Sequence, residues 1–264
     1  MNIAVPDIGT LFPIPSQTSA QDKRFLLQTI ALAKRILGSF SYLEIGFYLG
    51  GSLTPFLLDP VCKAVLSIDE RGRQQPDERG AKYDYSGITH QTMINNLVSR
   101  GVPTSKLTTF DGSVDSVQRA ESSFEIAFID GEHTDIACFR DFLWTLPLMK
   151  SDAVIRFHDS TLVYKALRMI GLYMQKSGQR HLLAKNRESD VTAFFTGKFA
   201  EIDFAREFGR AADWDEFFER SRNGSHPARS EEQGEHSIRR GRYLGQDVPR
   251  LIGGVRERFR MGRG

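Results

Sequence analysis

Phe128-Ile-Asp130-Gly-Glu-His133 closes one short apolar run, and Arg156-Phe-His158-Asp159 closes the next. Carboxylates and imidazoles are the side chains that hold a divalent cation or move a proton near neutral pH. Two such groups at the ends of neighbouring parallel strands would bring Asp130, His133, His158 and Asp159 into one small volume. Upstream, Glu44-Ile-Gly46-Phe-Tyr-Leu-Gly50-Gly-Ser52 follows another apolar run. Glycine there permits a tight turn and lets backbone approach a ligand closely, and a following helix start would offer unpaired N–H groups. Its E-x-G-x-x-x-G spacing differs from the dinucleotide fingerprint G-x-G-x-x-G, and no Lys-Ser/Thr pair marks a phosphate loop. Asp69 and the triplet Asp111-Gly112-Ser113 end two further runs. Taken singly, each of these is equally an ordinary turn or helix cap. Taken together, in this order at successive strand ends, they predict a cofactor site.

These residues need strand ends to carry them, and the hydrophobic pattern supplies the strands. SYLEIG, AVLSID, KLTTFDG, FEIAFIDG and AVIRFHD are short and apolar, and they alternate with helical spacings at Leu53–Leu58, about His90–Arg100, Thr134–Met149 and Leu162–Lys176. Leu26, Ile30, Ala33 and Leu37 mark a helix before the first strand, with Gly38 placed to stop it. HLLAKNR and VTAFFTG, joined by ESD, predict a closing antiparallel hairpin. The expected fold is α/β and Rossmann-like: a mostly parallel seven-stranded sheet, helices on both faces, ligand at the carboxyl ends of the strands. Arg71–Gly80 reads as a polar loop. Domain limits are expected at 1–200 for this fold with its N-terminal helix, and 201–264 for an extension with helices at Asp203–Phe208 and Trp214–Arg222 and an Arg-rich end, Arg229–Arg263. The aromatic face Trp214, Phe217, Phe218 is expected to pack on the core or on a second subunit.

The glycine loop after an acidic residue resembles the first motif of class I S-adenosylmethionine-dependent methyltransferases. The resemblance implies that Gly46 and Gly50 pass under the methionine part of the cofactor, that Glu44 and Ser52 orient nearby groups, that Asp69 accepts from both ribose hydroxyls, and that Gly112 and Ser113 lie along the adenine. F-I-D-G-x-H followed by a helix and H-D resembles the subgroup of macrolide-sugar O-methyltransferases and cephalosporin hydroxylase-like proteins. In metal-dependent relatives, residues matching Asp130, His158 and Asp159 hold a divalent cation, Mg²⁺ or Mn²⁺, and a histidine matching His133 is the base. Asp130 thus counts as a catalytic, cofactor-side and metal residue together. One departure is His158, where such relatives carry a carboxylate or amide oxygen. Three readings stay open: His158 binds a softer ion, it points away and the aspartates alone are ligands, or no metal binds and His158-Asp159 caps the next helix. His133 is read as a base or as a loop-surface histidine.

A sulfonium methyl group is already activated, so the work left is to align a hydroxyl and remove its proton. The expected activity is therefore O-methylation of a small-molecule hydroxyl, on a sugar or glycosylated metabolite. A metal-independent methyltransferase, a non-catalytic cofactor-binding module and a nicotinamide oxidoreductase are the competing readings, the last disfavoured by the glycine spacing. A formal charge of +2 over 264 residues gives no field to recruit nucleic acid or an anionic membrane. Two cysteines and the lack of a signal-like start or bilayer-length apolar run point to a cytoplasmic protein. The resemblance makes a homodimer or larger homo-oligomer an expectation. Lys82-Tyr-Asp-Tyr85 lies on the ligand side of the sheet, as a loop anchor or as aromatic lid.

Overall fold

Ser19 sets the start of the first long element. Its hydroxyl accepts the Asp22 N–H at 3.1 Å while the Asp22 carboxylate accepts the Ser19 N–H at 2.9 Å, a reciprocal cap that satisfies two otherwise unpaired donors. The computed structural model describes residues 8–70, 72–117 and 123–224. In chain order they form α1 (Ile8–Leu11), α2 (Ala20–Leu37), β1 (Phe40–Ile45), α3 (Thr54–Leu58), β2 (Cys62–Asp69), β3 (Gln74–Pro76), β4 (Lys82–Asp84), α4 (His90–Ser99), β5 (Leu107–Asp111), β6 (Phe124–Ile129), α5 (Asp135–Thr145), β7 (Met149–Phe157), α6 (Tyr164–Ser177), β8 (His181–Lys185), β9 (Thr192–Thr196), α7 (Phe204–Phe208) and α8 (Trp214–Gly224). The Arg-rich stretch Arg229–Arg263 lies outside the described residues.

Seven strands make one sheet in the order β5-β2-β1-β6-β7-β9-β8. β5, β2, β1, β6 and β7 are mutually parallel, and β9 runs antiparallel to both β7 and β8. This is the expected Rossmann-like sheet with its closing hairpin. β6 is buried along its whole length, which explains why it reads as a continuous apolar run rather than an alternating one. Alternate residues of the central strands feed two cores. Tyr42, Phe128 and Val154 meet α2 and α3 on one face; Leu43, Ile129 and Phe157 meet α5 and α6 on the other. The chain turns outward in opposite directions from β1 and β6, so a crevice opens at their carboxyl ends.

Two findings refine the sequence reading. The polar segment after β2 is not wholly a loop: Gln74–Pro76 pairs antiparallel with Lys82–Asp84. With no apolar alternation to announce it, this hairpin depends on its turn, where the Asp77 carboxylate accepts the N–H groups of Arg79 and Ala81 and Gly80 takes φ 83°. The helices beyond residue 200 also join the cores. Phe204 and Phe208 pack with Phe25 and Phe195, and Phe217 lies buried in the opposite layer, where Trp214 and Phe218 also pack. Phe208 is 2% exposed and its ring lies 4.6 Å from that of Phe25. Phe208→Ala is therefore expected to cost about 3–5 kcal/mol, measured by urea unfolding; an unchanged midpoint would show that α7 adds nothing to the core.

Candidate active site

The glycine loop is held from both sides. Gly46 has φ 79°, and a Cβ there would sit 2.0 Å from the Asp130 carbonyl oxygen, so only glycine lets the ends of β1 and β6 approach this closely. Tyr48 takes φ 47°, a conformation that costs a non-glycine residue free energy and gathers at functional sites. Beneath the loop, the fully buried Glu44 carboxylate accepts the hydroxyls of Tyr42 and Ser52. Burial pushes its carboxyl up to about 8, against the opposing effect of those two hydrogen bonds. Glu44 and Ser52 thus face each other under the loop and shape it. Behind them lies Arg156, also fully buried, its guanidinium 5.1–5.5 Å from the rings of Tyr42, Phe56 and Phe128. Sequence reading missed this residue, because an arginine in a strand ordinarily marks the solvent face.

Asp69 ends β2 beside the loop, its Oδ2 accepting the Phe47 N–H at 3.3 Å and its carbonyl the Gly112 N–H at 2.9 Å. From there the crevice runs two ways. One cleft of about 320 Å³ passes Gly46, Asp69, Gly112, Ser113 and the ion pair Arg140–Asp141, whose atoms are 2.8 Å apart. The adjoining cleft of about 420 Å³ passes Gly46 and Asp69 again, then Tyr48, Tyr85, Asp130 and His133. Together they make a continuous trough over the carboxyl ends of β5, β2, β1 and β6. Burial pushes the Asp141 carboxyl up to about 6, with Arg140 pulling the other way; this side chain is a buried ion-pair partner.

At the far end, Asp130, His133, His158 and Asp159 converge as their spacing predicts. Asp159 adopts φ 45°, and its Oδ2 lies 3.0 Å from His133 Nε2 and 3.2 Å from His158 Nδ1. Asp130 Oδ1 lies 2.9 Å from His158 Nδ1 and 3.7 Å from His133 Nε2. The three ligand atoms of Asp130, His133 and Asp159 all fall within 4.8 Å of one another. His158 stands behind that trio: its Nδ1 meets both aspartates, and its Nε2 meets Asp22 Oδ2 at 3.4 Å. Asp22 is itself buried and also accepts from Ser19, Ser189 and the Asp190 N–H. None of the open readings of His158 included this arrangement: the imidazole bridges α2 and the two aspartates, and the trio that converges on one point is Asp130, His133 and Asp159. Asp22 was invisible as a site residue; Ser19-x-x-Asp22 signals a helix cap, and nothing in it announces a contact 136 residues away.

The charges follow from this packing. Burial opposes a charge on His133, but hydrogen bonds to Asp130 and Asp159 outweigh it and raise its pKa to about 10. His158 is likewise held well above the usual histidine range by Asp130, Asp159 and Asp22, despite burial. Burial would raise Asp159, yet hydrogen bonds from the two imidazoles hold it far below the usual carboxylate range. In this state the cluster is a set of imidazolium–carboxylate pairs, with the acid form of His133 facing the cleft.

Residues 43–160 match the sequence profile described as a methyltransferase domain. No curated protein matches the chain significantly. Among solved structures it is similar to a proposed O-methyltransferase from Klebsiella pneumoniae (16% identity, 75% of this chain and 92% of that one, TM-score 0.49). It is also similar to an O-methyltransferase from Bacillus cereus solved with SAH (15%, 70% and 85%, TM-score 0.47), and to the O-methyltransferase TomG from Streptomyces achromogenes solved with SAM (15%, 72% and 86%, TM-score 0.45). The matched segment runs from β1 through β7 and takes in the glycine loop, Asp69, Asp130 and His158-Asp159 at the strand ends.

Proposed function

We propose that this chain is a class I, S-adenosylmethionine-dependent methyltransferase that moves the methyl group to a hydroxyl oxygen of a small molecule, a sugar or a glycosylated metabolite, with a divalent cation at Asp130, His133 and Asp159. The observation that carries the proposal is the trio itself: two carboxylate oxygens and one imidazole nitrogen within 4.8 Å of one another, beside the cleft that shares Gly46 and Asp69 with the cofactor trough. In this reading Asp69 accepts from the ribose hydroxyls, Gly46 and Gly50 let the loop lie along the methionine part, and Gly112 and Ser113 border the adenine. Glu44 and Ser52 act on the loop from below.

The donor set fits a divalent cation. Its two carboxylates supply negative charge, and His133 exchanges a proton for a cation; an imidazole among oxygen ligands suits Mn²⁺ better than Mg²⁺. When bound, the cation supplies a Lewis acid that lowers the pKa of the acceptor hydroxyl. The chain's own groups do the rest. Asp130 borders the cleft and orients the hydroxyl, with Asp159 beside it; His158, fixed by Asp22, holds both carboxylates in place. The transfer breaks the S–CH₃ bond, forms the O–CH₃ bond, leaves a neutral thioether and sends the hydroxyl proton to a carboxylate oxygen of Asp130. A second reading, without metal, has His133 take that proton as general base; with its pKa at about 10, activity in that case would keep rising with pH as the neutral imidazole forms. Buried thiols at Cys62 and Cys138 support the expectation of a reducing, cytoplasmic setting, and no described helix is long and apolar enough to cross a membrane.

Labelled-methyl transfer separates the two readings. EDTA, or Asp130→Ala with Asp159→Ala, is expected to abolish turnover while leaving S-adenosylhomocysteine bound; full activity in EDTA would favour His133 acting alone. Proton competition gives an independent check. Because His133 must lose a proton whose pKa stands at about 10, Mn²⁺ affinity is expected to rise with pH, by up to about tenfold per pH unit between roughly pH 6.5 and 8.5. Electron paramagnetic resonance of free Mn²⁺ reads this directly, and a flat profile would remove His133 from the ligand set.

A further inference from the structure

The β3–β4 hairpin carries two aromatic residues that neither the fold nor the proposed chemistry explains. Along Lys82–Tyr85 the charged residues Lys82 and Asp84 are exposed, whereas Tyr83 and Tyr85 are half-buried, as the two-residue period of an extended chain requires. Both tyrosines look toward the reacting end of the trough. Tyr83 stands edge-on to His133, with ring centroids 6.0 Å apart. Tyr85 lines the same cleft as Asp130 and His133 and lies nearly parallel to Tyr83 at 6.4 Å and 16°. Each hydroxyl is tied: Tyr83 Oη accepts from Arg79 Nη2 at 2.7 Å, and Tyr85 Oη donates at 3.1 Å to Oε1 of Gln17, which lines the same cleft.

Anchoring the segment does not require these rings. The hairpin tip is already fixed, since the Glu78 N–H donates to the His133 carbonyl at 3.1 Å and the Glu78 carboxylate accepts the Asp135 N–H at 2.8 Å. The ring of Tyr85 thus stands on the wall of the cleft, backed by Tyr83, which packs on both Tyr85 and His133. The charged side chains lining that cleft, among the described residues, are Asp69, Asp130 and His133; no lysine or arginine lines it. The cation proposed at Asp130, His133 and Asp159 already has its two charges matched by the two carboxylates, which leaves no unmatched positive side chain for an anionic acceptor.

We propose that Tyr83 and Tyr85 form the acceptor subsite, and that the acceptor is an uncharged ring compound whose face lies on Tyr85 while a hydroxyl on its edge reaches the Asp130–Asp159 oxygens. This deepens the hydroxyl-transfer reading and rests on it. A phenol offers the π-face and a pyranose the C–H face that a tyrosine ring accepts, so the shared chemistry is a ring with an edge hydroxyl. Tyr83 and Tyr85 are specificity residues in this scheme, outside the cleft wall that carries Gly112 and Ser113.

The test is saturation-transfer NMR on the full chain loaded with S-adenosylhomocysteine, with three probes: phenol, methyl β-glucopyranoside and the open-chain polyol sorbitol. At least one ring probe is expected to bind and sorbitol not to; which ring binds tells an aromatic acceptor from a sugar. Tyr85→Ala is expected to weaken that probe about five- to tenfold and Tyr85→Phe to retain it, with S-adenosylhomocysteine affinity unchanged in both. Sorbitol binding as well as the rings, no ring binding at all, or ring binding indifferent to the Tyr83→Ala/Tyr85→Ala pair would each overturn the proposal. Failure of S-adenosylhomocysteine to bind the wild type would instead strike the underlying methyltransferase reading.

Discussion

Gly46 and Asp130 touch backbone to backbone, and the rest of the site is arranged around that contact. The Asp130 N–H donates to the Ile45 carbonyl at 2.8 Å, while Gly46 presses on the Asp130 carbonyl where no Cβ fits. One contact therefore joins the cofactor loop to the acidic cluster and fixes how far apart they stand. Protein interiors are close-packed and yield little, so a rigid junction of two parallel strands serves in-line transfer well. A methyl donor lying along the loop and a hydroxyl held at Asp130 would keep their relative position without a moving part.

Electrostatic arrangement divides along the same line. Under the loop, Glu44 and Arg156 are buried charges that do not form a close pair; the carboxylate is served by hydroxyls and the guanidinium by aromatic faces. Such an arrangement costs stability when both groups are charged, and the rise of Glu44 to about 8 lets it hold a proton instead. At the cluster the opposite holds. Two imidazoles sit among three carboxylates, Asp22 included, and each charge finds an opposite one within hydrogen-bonding range. The site therefore presents a compact set of closely paired charges, three carboxylates to two imidazoles, at one end of the cleft and the tyrosines Tyr48 and Tyr85 beside it.

Much of this was legible in the sequence, because parallel strands turn linear order into spatial neighbours. Five apolar runs ending in Glu44-Ile-Gly46, Asp69, Asp111-Gly112, Asp130 and His158-Asp159 suffice to put those residues on one edge of a sheet. What escaped the sequence is what depends on side-chain direction or on distant segments. His133 and His158 fit the spacing equally well, and only the turn at Asp159, with φ 45°, brings His133 alongside the carboxylates while His158 is backed by Asp22. Arg156 lies in a strand buried on both faces, where the rule that charges face solvent fails. The β3–β4 hairpin has no apolar period and is held by the Asp77 turn and by Glu78, polar bonds that composition does not display.

The central claim is that the trough over the strand ends binds S-adenosylmethionine through Asp69. Calorimetric titration of the full chain with S-adenosylhomocysteine, beside Asp69→Ala checked for an unchanged thermal midpoint, tests it most directly. The account predicts micromolar binding by the wild type and a loss of at least about tenfold in the variant, the scale of one carboxylate hydrogen-bonded to a diol. Equal affinity in both proteins, or no binding by the folded wild type, would contradict it.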